Sequence, residues 1–333
     1  MPVWAILFGS FVILLVIRVP LGFAIGIATL LTMAIEGMPL TTLAVTYFSA
    51  VDTFAFMAIP LFLFAGSLME HGGISARLIA VADVLLGRLV GGLSLVTIGA
   101  SMFFGALTGA GNTATAAVGS MMIPTMIKRG YGRAFAGAVT AIGGTMGILI
   151  PPSIALIVYG IMADVSIARL FLAGVVPGLI LGVALMVAAY LISRKRGYKG
   201  SDTRFSVSGL GTAVNHGKWA LMAPVIILGG IYGGVITPTE SAVIAVVYGF
   251  LVGAFIHKEL TFEKVMICLK ATAAVTGVVG IIWGTALAFG ELLAIHQIPH
   301  MVSKGILGVT ASAVVALILI SVWEIFIGMW MNT

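Results

Sequence analysis

Apolar residues run through this chain in long blocks separated by short polar punctuation. Blocks at about 3–17, 20–36 and 54–70 each approach the ~17–25 residues that carry a helix across a bilayer core. Further blocks lie at about 173–193, 219–236, 240–256, 267–286 and 309–331. Two stretches, 74–91 and 287–307, mix apolar and polar residues at helical spacing and read as amphipathic helices. Between 133 and 163 a helical run is interrupted at ILIPPS, where Pro151 and Pro152 remove two backbone donors from the ladder. One block has a different texture. Residues 105–120 read GALTGAGNTATAAVGS, nearly all small, between the apolar runs LSLVTIGASMFF and MMIPTMI. No series of short alternating strands is visible, so the pattern predicts an all-α polytopic membrane protein and not a β-barrel.

Composition agrees. The chain is 61% hydrophobic and only 8% charged, against about 25% charged for a soluble domain. The single cysteine, Cys268, rules out an internal disulfide framework or a cysteine metal site. The net charge of +6 would suit nucleic acid, but its distribution points to lipid. Let the amino terminus face outward and let 92–127 enter and leave on one side. Then 15 of the 17 Lys and Arg residues fall on the inner side, and only Arg169 and Lys304 fall outside. A single crossing by 92–127 would swap every later loop and destroy that bias. Its two arms, 93–106 and 113–127, span roughly 21–22 Å, short of the ~30 Å core. The segment is therefore predicted to be a re-entrant hairpin from the cytoplasmic side, with TGAGNT at its tip.

The chemistry follows from that placement. Non-helical backbone at membrane depth is tolerated only within protein or beside a water-filled cavity, where it exposes carbonyls, N–H groups and hydroxyls. Thr108, Gly109, Ala110, Asn112 and Thr113 form the tip, with Thr115 two positions further on. Close helix packing is the competing reading, since Gly105 and Gly109 make a GxxxG pair. At GILIPPS, Pro151, Pro152 and Ser153 read either as a structural kink or as a discontinuous helix facing the tip. In the second case its ends offer carbonyl poles to a cation and N–H poles to a carboxylate. In TPTE, Thr237 to Glu240 fits a capping box, while a carboxylate near the membrane keeps Glu240 a pathway candidate. Glu324, inside the last apolar block, is another. His296 and His300 sit four apart, but Pro299 lies between them and no carboxylate completes a metal set. There is no GxxxxGK[ST], HExxH or GxSxG, so nothing points to an enzyme.

At the hairpin and the break the sequence resembles the large membrane (M) subunit of tripartite ATP-independent periplasmic (TRAP) transporters. The resemblance covers essentially the whole chain, through AIPLFLFAGSLM (58–69), VGSMMIPTMIKRGY (118–131), GILIPPSIALIVYG (147–160), SIARLFLAGVVPG (166–178), GGIYGGVITPTESA (229–242) and IGMWMNT (327–333). It implies a Na⁺-driven secondary importer of organic anions such as dicarboxylates or sialic acid, in the bacterial inner membrane with a periplasmic amino terminus. A periplasmic binding protein and a small four-helix Q-type membrane subunit are the implied partners. No cofactor is implied beyond Na⁺ as coupling ion.

The resemblance also implies two inverted repeats and elevator-type movement. Scaffold helices would occupy 1–36, a first repeat 37–193, a basic cytoplasmic loop 194–218 and a second repeat 219–333. Sodium ligands would come from Thr108, the Ala110 backbone, Asn112 and Ser153, with Gly109 and Thr113 beside them. A second site would use Gly328, Asn332 and Thr333, echoing Asn112-Thr113. The chain departs from the family at Thr108-Gly109-Ala110, where Ser-Gly-Ser is common, and at Asn332, where Asp is usual. It also stops at the expected second tip, which reads as a fragment or an unusual variant. The alternatives are a stand-alone Na⁺/anion symporter of the same architecture and a non-transporting membrane scaffold.

Overall fold

The computed structural model describes residues 2–200, 207–310 and 312–328; among them the chain is helical, with no strand. It divides into two compact units, one made of 1–53 and 275–333 and the other of 54–274.

In the first unit, α1 (Val3–Val16) and α2 (Leu21–Ile35) are joined at Pro20, which starts α2. Gly37, at φ 70°, ends α2 with paired bonds from Gly37 N to Ala34 O and from Met38 N to Met33 O. Their core gathers Leu7, Ala28, Met33 and Leu292. With 14 and 15 residues, both helices are shorter than the full spans expected, and below the ~17 residues that cross a bilayer core. A further helix, α3 (Thr41–Val51), was not expected from the sequence. It packs through Tyr47 onto Gly284, and Ala50 O accepts the Trp283 indole N–H at 2.9 Å.

The final helices also differ from expectation. The span at 267–286 and the first part of the amphipathic stretch form one continuous helix, α13 (Phe262–Ile295), because no proline interrupts it. The break comes at Gln297, in the left-handed region at φ 53°, and α14 (Ile298–Val309) follows with Pro299 in its first turn. Then comes α15 (Ala313–Gly328), which has no buried residue.

The second unit holds α4 (Ala58–His71), α5 (Ile74–Leu86), the hairpin α6 (Gly92–Thr108) and α7 (Gly111–Lys128), the broken pair α8 (Arg133–Leu149) and α9 (Ile154–Met162), α10 (Ile167–Lys195), α11 (Val207–Tyr232) and α12 (Pro238–Leu251). A π-helical turn, Val252–Ile256, extends α12. The loop expected at 194–218 is shorter than read, since α10 runs to Lys195 and α11 begins at Val207. The core joins Leu95 and Ile98 of α6 to Met126 of α7, Phe135 and Val139 of α8 and Ala189 of α10. Among the described residues four runs are long and apolar enough to cross a membrane: Arg133–Met162, Ile167–Lys195, Pro238–Ile256 and Phe262–Ile295.

Candidate functional site

The hairpin is as expected in kind and tighter in detail. Its arms are 17 and 18 residues long, and only Gly109 and Ala110 lie between them. Thr108 therefore ends α6, while Asn112 and Thr113 sit in the first turn of α7 instead of in a loop. Gly109 makes the turn at φ 65°, a conformation that side chains disfavour, and its N–H bonds Gly105 O at 2.9 Å. Ala110 is extended, and its carbonyl accepts from Ala114 N at 3.1 Å, which starts α7.

The tip meets the break directly. Gly109 O accepts the Ile154 N–H at 3.1 Å, so the hairpin turn caps the first turn of α9. Glycines allow this approach. A Cβ at Gly109 would lie 2.8 Å from Pro152 O, and one at Gly147 would lie 3.1 Å from Ala110 O. Gly105 is seated against Gly147, and Gly111 against Gly144 O. The packing reading of Gly105 and Gly109 is thus realised, and the same small residues let the hairpin turn approach the helix break.

Each predicted residue has a definite place. Thr108 is 1% exposed; its hydroxyl donates to Phe104 O at 3.2 Å or Ala110 O at 3.3 Å, and Ala110 N approaches it at 3.4 Å. Pro151 and Pro152 are buried and joined by a cis peptide. Ser153 is fully buried; its hydroxyl donates to Ile148 O and accepts from Leu156 N at 3.4 Å, spanning the break from both sides. Asn112 is exposed and Thr113 half-buried. The Thr115 hydroxyl donates to Gly111 O at 2.9 Å, within its own helix.

Other predicted residues lie elsewhere. Glu240 completes the capping box, accepting from Thr237 N at 2.7 Å and from the Thr237 hydroxyl at 2.8 Å. Its neighbours Thr237 and Thr239 line an open cleft of about 370 Å³ with Gly160, Asp164 and Ser166. Glu324 and Gly328 are exposed on α15 in the first unit; Asn332 and Thr333 lie outside the described residues. His296 pairs with Glu36 at 2.8 Å, and no metal-ligating cluster occurs among the described residues.

Four helix ends converge at the tip. The carboxyl ends of α6 and α8 bring carbonyls that lack helical partners, and the amino ends of α7 and α9 bring N–H groups in the same state. Gly109 O accepts the Ile154 N–H, and the Ser153 hydroxyl accepts the Leu156 N–H and donates to Ile148 O; Gly105 O, Met146 O and the Ala114 and Ile157 N–H groups are taken up by bonds at the helix ends themselves. Residues 105–120 and 147–156 contain no ionisable side chain, so what these two segments present is backbone, hydroxyl and amide dipoles.

Sequence reasoning missed Gly66 of α4. A Cβ there would lie 2.6 Å from Thr108 Cγ2 and 2.9 Å from Thr108 Cα, so Gly66 seats the end of α6. It also missed Gly174 and Gly178 of α10, which lie against Leu149 O and Ile150. Glycines at positions 143, 144 and 147, and at 174 and 178, are a signal of close packing, but spacing does not name the partner.

Comparison with known proteins fits this arrangement. Residues 8–333 match the family described as tripartite ATP-independent periplasmic transporter, DctM component. The chain belongs to this family. The family consists of transporter permease components and not enzymes, and the apolar helices make the chain an integral membrane protein. The isethionate TRAP transporter permease protein DctMQ of Oleidesulfovibrio alaskensis is 42% identical over 98% of this chain and 52% of its own length. The sialic acid TRAP transporter permease protein SiaT of Haemophilus influenzae is 35% identical over 96% of this chain and 52% of its own length. A C4-dicarboxylate TRAP transporter large permease protein, DctM of Pseudomonas aeruginosa, is 35% identical over 87% and 68%. The chain thus spans about half the length of the first two.

Proposed function

We propose that this chain is the membrane-embedded part of a Na⁺-coupled importer of small organic anions. It works by elevator-type alternating access in the bacterial inner membrane, with a periplasmic amino terminus. A periplasmic binding protein delivers the anion, and a small membrane subunit completes the permease. The names of its relatives, which cover isethionate, sialic acid and C4-dicarboxylates, support an organic anion as cargo.

The contact between Gly109 O and Ile154 N carries the reading, because it brings the hairpin tip and the helix break into one polar site. Carbonyls of α6 and α8, with the hydroxyls of Thr108 and Ser153, are oxygen donors suited to Na⁺. The N–H groups opening α7, beside Asn112 and Thr113, suit a carboxylate or sulfonate. Because the site has no ionisable side chain, a bound Na⁺ is neutralised by no protein charge. An anion arriving beside it supplies that neutralisation, which is the electrostatic basis of symport. A second ion site would use Gly328, Asn332 and Thr333. With two Na⁺ per monoanion, about 2.3 kcal/mol comes from moving one net charge across ~100 mV, and a tenfold Na⁺ gradient adds about 1.4 kcal/mol per ion.

The test begins with binding. The purified chain should gain thermal stability in about 100 mM NaCl relative to choline chloride, by the mass-action effect of a ligand on the folded state. Thr108→Ala and Ser153→Ala should each remove the gain. Vesicles carrying the chain with both partners should then take up labelled anion only with Na⁺ and the binding protein present. Uptake without the binding protein would identify a stand-alone symporter. Sodium-independent uptake, or a Na⁺ stabilisation that survives both substitutions, would refute the assignment.

A further inference from the structure

Two helices of the second unit end alike. Gly130 closes α7 at φ 84° and Gly197 closes α10 at φ 72°. Each donates back to the helix, Gly130 N to Ile127 O and Gly197 N to Arg194 O, and the next residue reaches one position further. Those next residues are Tyr131, bonded to Met126 O, and Tyr198, bonded to Ser193 O, and their rings stack at 4.3 Å. Gly132 N donates to the Tyr198 hydroxyl at 3.0 Å, and Gly91 N donates to Tyr198 O at 3.2 Å. One aromatic pair thus joins the α5–α6, α7–α8 and α10 turns at the open end of the hairpin.

This joint gathers positive charge. Arg129 and Arg133 flank the α7 turn; Arg194, Lys195, Arg196 and Lys199 flank the α10 turn; all six are exposed. The Arg196 guanidinium lies 5.1 Å from the Phe135 ring centroid, which fixes one of them over the aromatic cluster. Among the described residues none of the six forms an ion pair. Nor is there sequence nearby to supply one: 84–163 and 165–201 contain no Asp or Glu. Asp83 is the nearest carboxylate on α5, beside Gly87, and Asp202 and Arg204 lie outside the described residues.

Helix dipoles do not account for the cluster. The carboxyl ends of α5, α7 and α10 and the amino ends of α6 and α8 meet here, and together they amount to about half an elementary negative charge. Six cations far exceed that. The chemistry next to them is apolar. Val187, Leu191 and Ile192, on the last turns of α10 leading to Arg194, are 52%, 57% and 43% exposed.

We propose that this joint is a binding site for an anionic glycerophospholipid, whose phosphate lies on the cations while its acyl chains lie along α10. The exposed apolar turns favour a lipid over free phosphate, which has no use for them. The aromatic pair holds three turns in place, so the cations are presented as one patch.

The test uses the purified chain in detergent, with palmitoyl-oleoyl phosphatidylglycerol and the matching phosphatidylcholine as competing probes, and retention read by native mass spectrometry. Phosphatidylglycerol should be retained about tenfold more than phosphatidylcholine. Arg129→Gln/Lys195→Gln/Arg196→Gln should abolish the preference. Neutralising three exposed cations elsewhere, Lys258→Gln/Lys270→Gln/Lys304→Gln, should leave it intact. If the first triple variant loses helical circular dichroism, the single variants Arg129→Gln and Lys195→Gln should each lower the preference at least about threefold. Equal retention of both lipids, or equal loss in both triple variants, would overturn the proposal. Displacement of phosphatidylglycerol by inorganic phosphate alone would replace it with a free-oxyanion site.

Discussion

Two neighbouring spans of the second unit have nearly the same length and opposite designs. The α8–α9 run covers 30 residues and is interrupted; α10 covers 29 and is continuous, although it contains Pro177. In its most apolar window the interrupted run has 44% of its residues enclosed by protein, and the continuous one 22%. An internal proline costs one helical bond, which a helix facing lipid survives. A full break orphans several carbonyls and N–H groups, and hydrocarbon offers them nothing. The break is therefore placed where Gly109 O, the Ser153 hydroxyl and the glycine face of α10 surround it. The continuous helix is the wall, and the interrupted one forms the candidate site.

The sharpest way to break that contrast is to fill its glycine seats. Gly147→Leu drives a side chain into Ala110 O and Gly105 Cα, both within 3.2 Å of a Cβ there. It should destabilise the unit by about 3 kcal/mol or more in thermal unfolding. Val183→Ala on α10, at a position 57% exposed, should stay within about 0.5 kcal/mol. If both changes cost the same, the enclosure argument fails. Gly109→Ala comes next: left-handed backbone and contact with Pro152 O should cost about 2–3 kcal/mol. Hydrogen exchange at Ile154 should accelerate in that variant. Ser153→Ala should cost about 1–2 kcal/mol through loss of a buried cap.

The smallest effect expected is one of pH. The interrupted run has only Arg133 and Tyr159 as ionisable side chains, so its stability should be flat between about pH 5 and 8. The end of the α12 extension differs. Burial pushes the His257 imidazole below its usual range; the Gly72 carbonyl at 2.8 Å opposes this, Arg77 reinforces it and Glu259 opposes it. With the folded value depressed, the unfolded chain takes up the proton first. Stability there is full above about pH 6.5 and falls as pH drops below it. Opening free energies from hydrogen exchange at 253–260 should therefore fall between about pH 7.5 and 5.5, while those at 148–156 hold.

Much of this arrangement was legible in the sequence. A proline pair inside an apolar run marks a break, and a glycine-threonine-asparagine patch between apolar arms marks a turn between two helices. The two-residue tip was not legible. Glycine disfavours helix, so Gly111 reads as loop; packing against Gly144 O overrides that preference and lets α7 start there. Nor was α3 legible. Its Thr41, Thr42, Val45 and Thr46 are indifferent helix formers, and its support comes from contacts of Tyr47 and Trp283 between residues more than 230 positions apart. Glycine pairing fails for the same reason: one sequence states the small residue and not its neighbour.

The bond between Gly109 and Ile154 joins main chain to main chain. Among coded residues only proline at position 154 removes the donor hydrogen, and it changes the side chain and fixes φ as well, so ordinary mutagenesis does not excise this joint cleanly. Replacing the Ile154 amide by an ester, through semisynthesis or an α-hydroxy acid, removes that single hydrogen while leaving every side chain in place.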